Sequence, residues 1–292
     1  MLRNYTVTCR AGFGDFLNRF RPVYELMTLL NYSFVRTDET YNNLNHHTSQ
    51  FNFMDKFGFT CFPKKNRNEY LDLIHIKDET LFTKIENNSF SDIEPKSLLI
   101  IDLSICINRP IIDKLLSQCA IKSIAPAKLN LKYHYKSNPF IKQKVLKVVI
   151  HLRRDDLMSV ENSMIKIARH MLTIDDAMKM LNNFLVSRHK TMTKREIILI
   201  SDGMRSSLPK CQIVDKLAAD LAKAHPNISK KFIGTDEISN HNALDSLYFS
   251  DVIISVSSCF VWVFSTLYAK KPSQYLIAEP SQCSIKSGHY PI

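Results

Sequence analysis

The chain has 292 residues, 45% of them hydrophobic, which is enough apolar content to bury one or two cores of ordinary size and too much for a disordered protein. Its 39 lysines and arginines against 28 acidic residues leave a net charge of +11, which favours an anionic partner: nucleotide phosphate, nucleic acid or an acidic membrane surface. The 7 cysteines are scattered without a CxxC pair, which disfavours a disulfide frame or a zinc site, and each is read as a reduced thiol in a core.

The start, "MLRNYTVTCRAGFGDF", has no apolar segment of signal-peptide length, so the cytoplasm is the expected location. The longest apolar run, "DVIISVSSCFVWVFSTLYA", is broken by serines, and no transmembrane helix is expected. "YTVTC" reads as a strand, "RAGFGD" as a glycine-bearing turn, "FLNRFRPVYELMTLLN" as a helix and "YSFVRT" as a second strand. Residues 41–96, rich in Asn, Phe and Lys and without a clear period, are expected to form loops and short helices. "SLLIIDLSI" returns to strand character. The basic, proline-marked stretch "APAKLNLKYHYKSNPFIKQK" reads as a connector between two halves.

Beyond the connector, strand-like and helical runs alternate. "KVLKVVIHL", "EIILIS", "KKFIG", "DVIISV" and a last strand, "PSQYLIA", are separated by the helical patterns "SMIKIARHMLTIDDAMKMLNNFLVSRH", "PKCQIVDKLAADLAKAH", "NALDSLYF" and "CFVWVFSTLYAK". Such spacing predicts βαβ crossovers and a parallel sheet covered on both faces. The expected fold class is α/β: two Rossmann-like domains facing a cleft, over residues 1–140 and 141–292.

In a doubly wound sheet, ligands bind outside the carboxyl ends of the strands, and "HLRRDD" falls at one such end. Two guanidiniums there, Arg153 and Arg154, can clamp a pyrophosphate through bidentate, charge-assisted hydrogen bonds that lysine cannot reproduce. The competing reading is a solvated turn in which they pair with Asp155 and Asp156; the strand-end context favours the clamp.

These residues resemble a known family. "HLRRDD" supplies His151, Arg153, Arg154 and Asp156 in the HxRRxD pattern of the α1,2-, α1,6- and protein O-fucosyltransferases. "EIILISDG", "DVIISVSSCFVWVFSTLYAKKP" and "RAGFGDFLNRF" are similar to further elements of that superfamily. The resemblance implies two Rossmann-like domains of the glycosyltransferase GT-B type, the first on the acceptor side and the second binding the nucleotide sugar. It implies an inverting, metal-independent transfer of fucose from GDP-fucose to a glycan acceptor, with no cofactor. Position by position it implies that Arg154, or by a shift Arg153, holds the β-phosphate and neutralises the leaving group. His151 would contact the ribose or phosphate side, and Asp156 would brace the arginines. Ser257 and Ser258 would offer hydroxyls and N–H groups to the phosphates, and Asp202 would line the guanosine pocket, with Asp251 a weaker candidate for it.

A hydroxyl acceptor needs a general base, for which the candidates are Asp156 and Asp15; for Asp15 a helix N-cap is the stronger reading. Gly12 and Gly14 allow a sharp turn or a close approach to a ligand, but the third glycine of the dinucleotide fingerprint is missing and NAD is not expected. No DxD and no metal-ligand spacing of histidines occurs, so no metal is expected. "SVSSC" lacks the glycines of a GxSxG elbow, which disfavours a hydrolase. The expected partners are a nucleotide-sugar donor and a glycan acceptor, lipid-linked in one version, with peripheral contact at an acidic membrane. Nucleic acid is disfavoured because the basic residues are dispersed and no RNA-binding signature occurs. Two alternatives stay open: a transferase using another nucleotide sugar, and a non-catalytic nucleotide-binding or nucleic-acid-binding α/β protein.

Overall fold

A computed structural model describes residues 3–9, 13–38, 40, 53–76, 94, 96–103, 129, 131–152, 179–184, 195–201, 219, 222–223, 228–233, 237–255, 261, 274–278 and 285–287. Contacts divide the chain into two units, Met1–His134 and Tyr135–Ile292. Each holds parallel strands and helices, an α/β arrangement.

The first unit carries β1 (Arg3–Thr8), α1 (Phe13–Leu29), β2 (Tyr32–Phe34), the single turn α2 (Phe53–Lys56), β3 (Asp72–Ile76) and β4 (Ser97–Asp102). Among the described residues its sheet runs in the order β2-β1-β4-β3, with every pairing parallel. The two middle strands are the most buried: Tyr5, Thr6 and Val7 of β1 and Leu98, Leu99 and Ile101 of β4 have no exposure. That is the pattern of strands covered on both faces.

α1 starts at Phe13, before the expected start, and takes in Gly14 and Asp15. Asp15 is thus the third residue of the helix and does not precede it as a cap would, which corrects the N-cap reading. The buried positions Phe13, Phe16, Leu17, Phe20, Val23 and Met27 recur at helical spacing. Their rings meet Phe34, Phe57 and Phe59; the Phe20 ring lies 4.7 Å from that of Phe34 and 5.3 Å from that of Phe59. The helix ends where Asn31 turns to φ 62°, a left-handed conformation that asparagine tolerates better than most residues.

Residues 41–96 hold the expected short helical turns but also β3, a strand not expected there. β3 pairs with β4 at the sheet's edge and buries only Ile76. Cys9 is buried as expected; Cys61 is exposed, because it closes the 3-10 turn Phe59–Cys61 whose buried residue is Phe59, so the core reading fails for that thiol.

The connector is not a slack linker. Tyr133 packs edge-on against Phe57 at 5.5 Å, the Lys56 ammonium lies over the Tyr133 ring at 4.9 Å, and the His134 N–H donates to Lys56 O at 2.8 Å. Two residues on, the chain is bonded within the second unit: Lys136 and Ser137 donate their N–H groups to one oxygen of Asp245, at 2.9 and 3.1 Å. Ile141 and Lys142 donate theirs to the two carboxylate oxygens of Glu196, at 3.0 and 3.1 Å. Both carboxylates are buried, and backbone N–H groups are the partners that make such burial affordable.

The second unit carries β5 (Leu146–Leu152), β6 (Arg195–Ser201), β7 (Ile228–Ile233), α3 (Glu237–Phe249), β8 (Val252–Ser255), β9 (Gln274–Ala278) and β10 (Ile285–Ser287). The expected helices over 163–189, 209–225 and 259–270 are helical at 179–184, at 219 and 222–223 and at Val261; their other residues lie outside the described ones. Among the described residues the sheet order is β10-β9-β8-β5-β6-β7. All neighbours are parallel except β10, which runs antiparallel to β9, so "PSQYLIA" is not the last strand. Val148, Val149 and Ile150 of β5 and Ile253 and Ile254 of β8 are fully buried.

Candidate nucleotide site

Strand order marks one candidate position on the second unit's sheet. Counted from β5, the six strands lie in the order 3-2-1-4-5-6, that of doubly wound dinucleotide-binding sheets, here with the sixth strand reversed. β5 leads on to β6 on one side, and its other neighbour β8 leads on to β9 on the opposite side. In sheets of this order, ligands bind outside the carboxyl ends of the strands at that switch point.

The side chains at that point are His151 and Ser255. β5 and β8 pair in parallel through Val148 and Val252, Val149 and Ile253, and Ile150 and Ile254. One step further along this register, His151 Nδ1 lies 3.0 Å from Ser255 Oγ. The contact is internal: Ser255 has no exposure and His151 only 8%. A histidine at the end of an apolar strand needs a polar partner once buried, and the neighbouring strand supplies a hydroxyl.

In sequence, Arg153 and Arg154 follow the last residue of β5, Ser257 and Ser258 follow the last residue of β8 by two and three positions, and Asp202 follows that of β6. These five, with Asp155, Asp156 and Gly12, lie outside the described residues. Of the other candidates, Gly14 is buried in the first turn of α1, and Asp15 is its neighbour in that helix; both belong to the first unit. The structure thus joins His151 to a residue the sequence reading passed over. Ser255 opens the serine-rich stretch of sequence that drew attention to Ser257 and Ser258, but only the register of two strands a hundred residues apart reveals what it touches.

Asp251, a weaker candidate for the guanosine pocket, stands at the amino end of β8. Its carboxylate accepts the Lys147 N–H at 3.0 Å and its own N–H donates to Lys147 O at 2.9 Å, so it fastens the start of β8 to the start of β5. That is the end of the sheet opposite His151. Asp245 and Glu196 likewise hold the connector. Among the described residues, no three His, Cys, Asp or Glu side chains group so as to hold a metal ion, and no helix is long and apolar enough to cross a membrane.

No protein-family model matches the chain, and no curated protein matches it.

Proposed function

We propose that the chain is a glycosyltransferase of the fucosyltransferase type, which transfers fucose from GDP-fucose to a glycan acceptor with inversion and without a metal. The observation that carries the reading is the polar pair His151–Ser255 at the β5–β8 divergence, with the HxRRxD residues following β5 in sequence and the serine-rich turn following β8. In sheets of this order a phosphate-bearing ligand binds at that point. On this reading the two units are the two lobes of a GT-B protein, the first receiving the acceptor and the second the donor, and the resemblance of "HLRRDD" to the fucosyltransferase motif supports the choice of sugar.

The chemistry follows from charge. The acceptor oxygen attacks the anomeric carbon from the face opposite the diphosphate and the glycosidic C–O–P link breaks at carbon. GDP departs with the electron pair, and the acceptor proton passes to a carboxylate, for which Asp156 is the candidate. Positive charge builds on the sugar and negative charge on the leaving phosphate. Arg153 and Arg154 supply fixed donors where the second charge develops.

Calorimetry of GDP, GDP-fucose and UDP in EDTA, on the parent chain and on Arg154→Ala, tests the reading. GDP and GDP-fucose bind the parent, and the substitution weakens them about a hundredfold, the loss expected when roughly 3 kcal/mol of charge-assisted hydrogen bonding goes. Binding of UDP in their place overturns the donor, and unchanged binding by Arg154→Ala overturns the clamp. Hydrolysis of GDP-fucose by the parent chain distinguishes an enzyme from a protein that only binds the nucleotide.

A further inference from the structure

We propose that residues 135–144 of the second unit form a surface that docks on an anionic phospholipid bilayer. The proposal does not depend on the nucleotide reading, because this surface stands at the other end of the sheet.

Its contacts place the segment. The Tyr135 ring lies 5.6 and 5.0 Å from those of Tyr248 and Phe249, the last two residues of α3. Ile141 and Lys142 donate their N–H groups to Glu196, the second residue of β6, and Lys147, the second residue of β5, donates its own to Asp251, which precedes β8. β5, β6 and β8 run parallel, so the segment follows their amino ends, whereas His151 stands towards the carboxyl end of β5.

What the segment turns to solvent is cationic and apolar. No Asp or Glu occurs between residues 114 and 154, and Lys136, Lys142 and Lys144 are exposed. Three carboxylates approach from other elements, Asp245, Glu196 and Asp251, and each accepts backbone N–H groups of the segment or of Lys147. Asp245 and Glu196 are buried. Beside the lysines stand Tyr135, 53% exposed, and Ile141, 70% exposed; among the described residues of the second unit these are the large apolar side chains left in water.

That combination selects the partner. A polyanion such as single-stranded RNA pairs with lysines but gains little from an isoleucine, and Tyr248 already lies against the Tyr135 ring, which leaves a base less of it to stack on. An acidic bilayer uses both kinds of side chain. Its headgroup phosphates attract the lysines, and its interface takes up an aliphatic side chain and the ring of a tyrosine. The Asp245 and Glu196 bonds already hold the backbone, so docking has little chain left to order.

Sedimentation of the full chain with vesicles tests this, with phosphatidylcholine alone and with phosphatidylcholine mixed with phosphatidylglycerol. The parent sediments with the mixed vesicles and not with phosphatidylcholine, and added salt releases it. Lys142→Gln combined with Lys144→Gln weakens binding about thirtyfold, at about fivefold for each lysine near an anionic surface. Ile141→Ser weakens it about fourfold or more, the worth of one methylene taken out of water. Lys179→Gln combined with Lys223→Gln removes two exposed lysines of the same unit outside the segment and leaves binding within about twofold of the parent's, since screening limits what distant charge contributes. All these side chains are exposed, and circular dichroism matching the parent's shows that each variant is folded. A parent that binds both vesicles alike, or neither, overturns the proposal, as do equal losses from the two lysine pairs or parent affinity in Ile141→Ser. Binding of single-stranded RNA that the Lys142 and Lys144 substitutions abolish, without a preference for the mixed vesicles, makes this a nucleic-acid surface and overturns it as well.

Discussion

Gly58→Ala should destabilise the first unit by about 2–5 kcal/mol, through two separate costs. Gly58 lies between α2 and the turn Phe59–Cys61 at φ 79° and ψ 14°, a left-handed conformation that costs a residue with a Cβ about 1–2 kcal/mol. An added Cβ would also collide with the backbone of Lys132, closest to its carbonyl oxygen and 2.7 Å from its nitrogen. Backbone has no rotamer by which to retreat, and forced displacement in a packed region costs roughly 1–3 kcal/mol more. The strand of connector pushed aside is the one fastened by His134 N–H to Lys56 O at 2.8 Å and by Tyr133 against Phe57, so both contacts should loosen together. Urea unfolding followed by circular dichroism measures the loss, and hydrogen exchange at the His134 amide locates it. A loss below about 0.5 kcal/mol with His134 protection unchanged would refute the reasoning, since such surface-scale effects are what a substitution without strain produces.

Tyr5→Phe should leave stability unchanged or raise it by up to about 1 kcal/mol, because the Tyr5 hydroxyl is buried with no hydrogen-bond partner among the described residues and an unmet buried donor is a cost. Thermal unfolding reads this, and a drop of more than about 1 kcal/mol would show that the hydroxyl does have a partner. The same burial, with Tyr24 nearby, drives the Tyr5 phenol well above its ordinary pKa, so the absorbance change of phenolate formation should not include Tyr5 until the unit unfolds in base. Asp245→Ala should cost the second unit about 2–4 kcal/mol, because it strips the acceptor from two backbone N–H groups of the connector; hydrogen exchange at Lys136 and Ser137 should rise with it, and intact protection there would count against the anchor. Glu69 accepts the Asn66 N–H at 2.8 Å in a capping box and pairs with Lys65, and these hold its carboxyl below the usual glutamate range, the Asn66 bond first. Its folded pKa being the lower, its stabilisation is present above the unfolded value and lost as pH falls through the folded one. Carbon-13 titration of Glu69 should show that lowered midpoint, and Lys65→Met, which removes the side-chain partner but not the Asn66 N–H, should return it part of the way towards the ordinary value.

What could be read from the chain was whatever lies within one element. "KVVIHL" and "DVIISV" announce buried strands because β-branched residues fill both faces, and α1 announces itself through Phe16, Phe20 and Met27 at helical spacing. β3 escaped because an edge strand buries little: Leu73 is 36% exposed and Ile76 alone is buried, so its residues carry no periodic signal of a core. β10 escaped because three residues paired on one side need no hydrophobic pattern. The connector was legible as a boundary, from its proline and charge, but its attachment was not. Nothing local marks Asp245 and Glu196 as anchors, because only the folded chain brings backbone N–H groups to them from more than 50 residues away.

The site itself was half legible for the same reason. The sequence shows a polar residue entering at the end of an apolar strand twice, His151 after Ile150 and Ser255 after Ile254. It does not show that the two ends are neighbours, because β5 pairs with β8 across some hundred intervening residues while β6 and β7 lie on the far side. Once the pairing is known, the coincidence has a physical cause. The register that aligns Ile150 with Ile254 also sets the His151 ring beside the Ser255 hydroxyl, a contact that a slip by one residue would break. The polar pair therefore helps fix the register of β5 against β8, the strands that Arg153 and Arg154, and Ser257 and Ser258, follow in sequence.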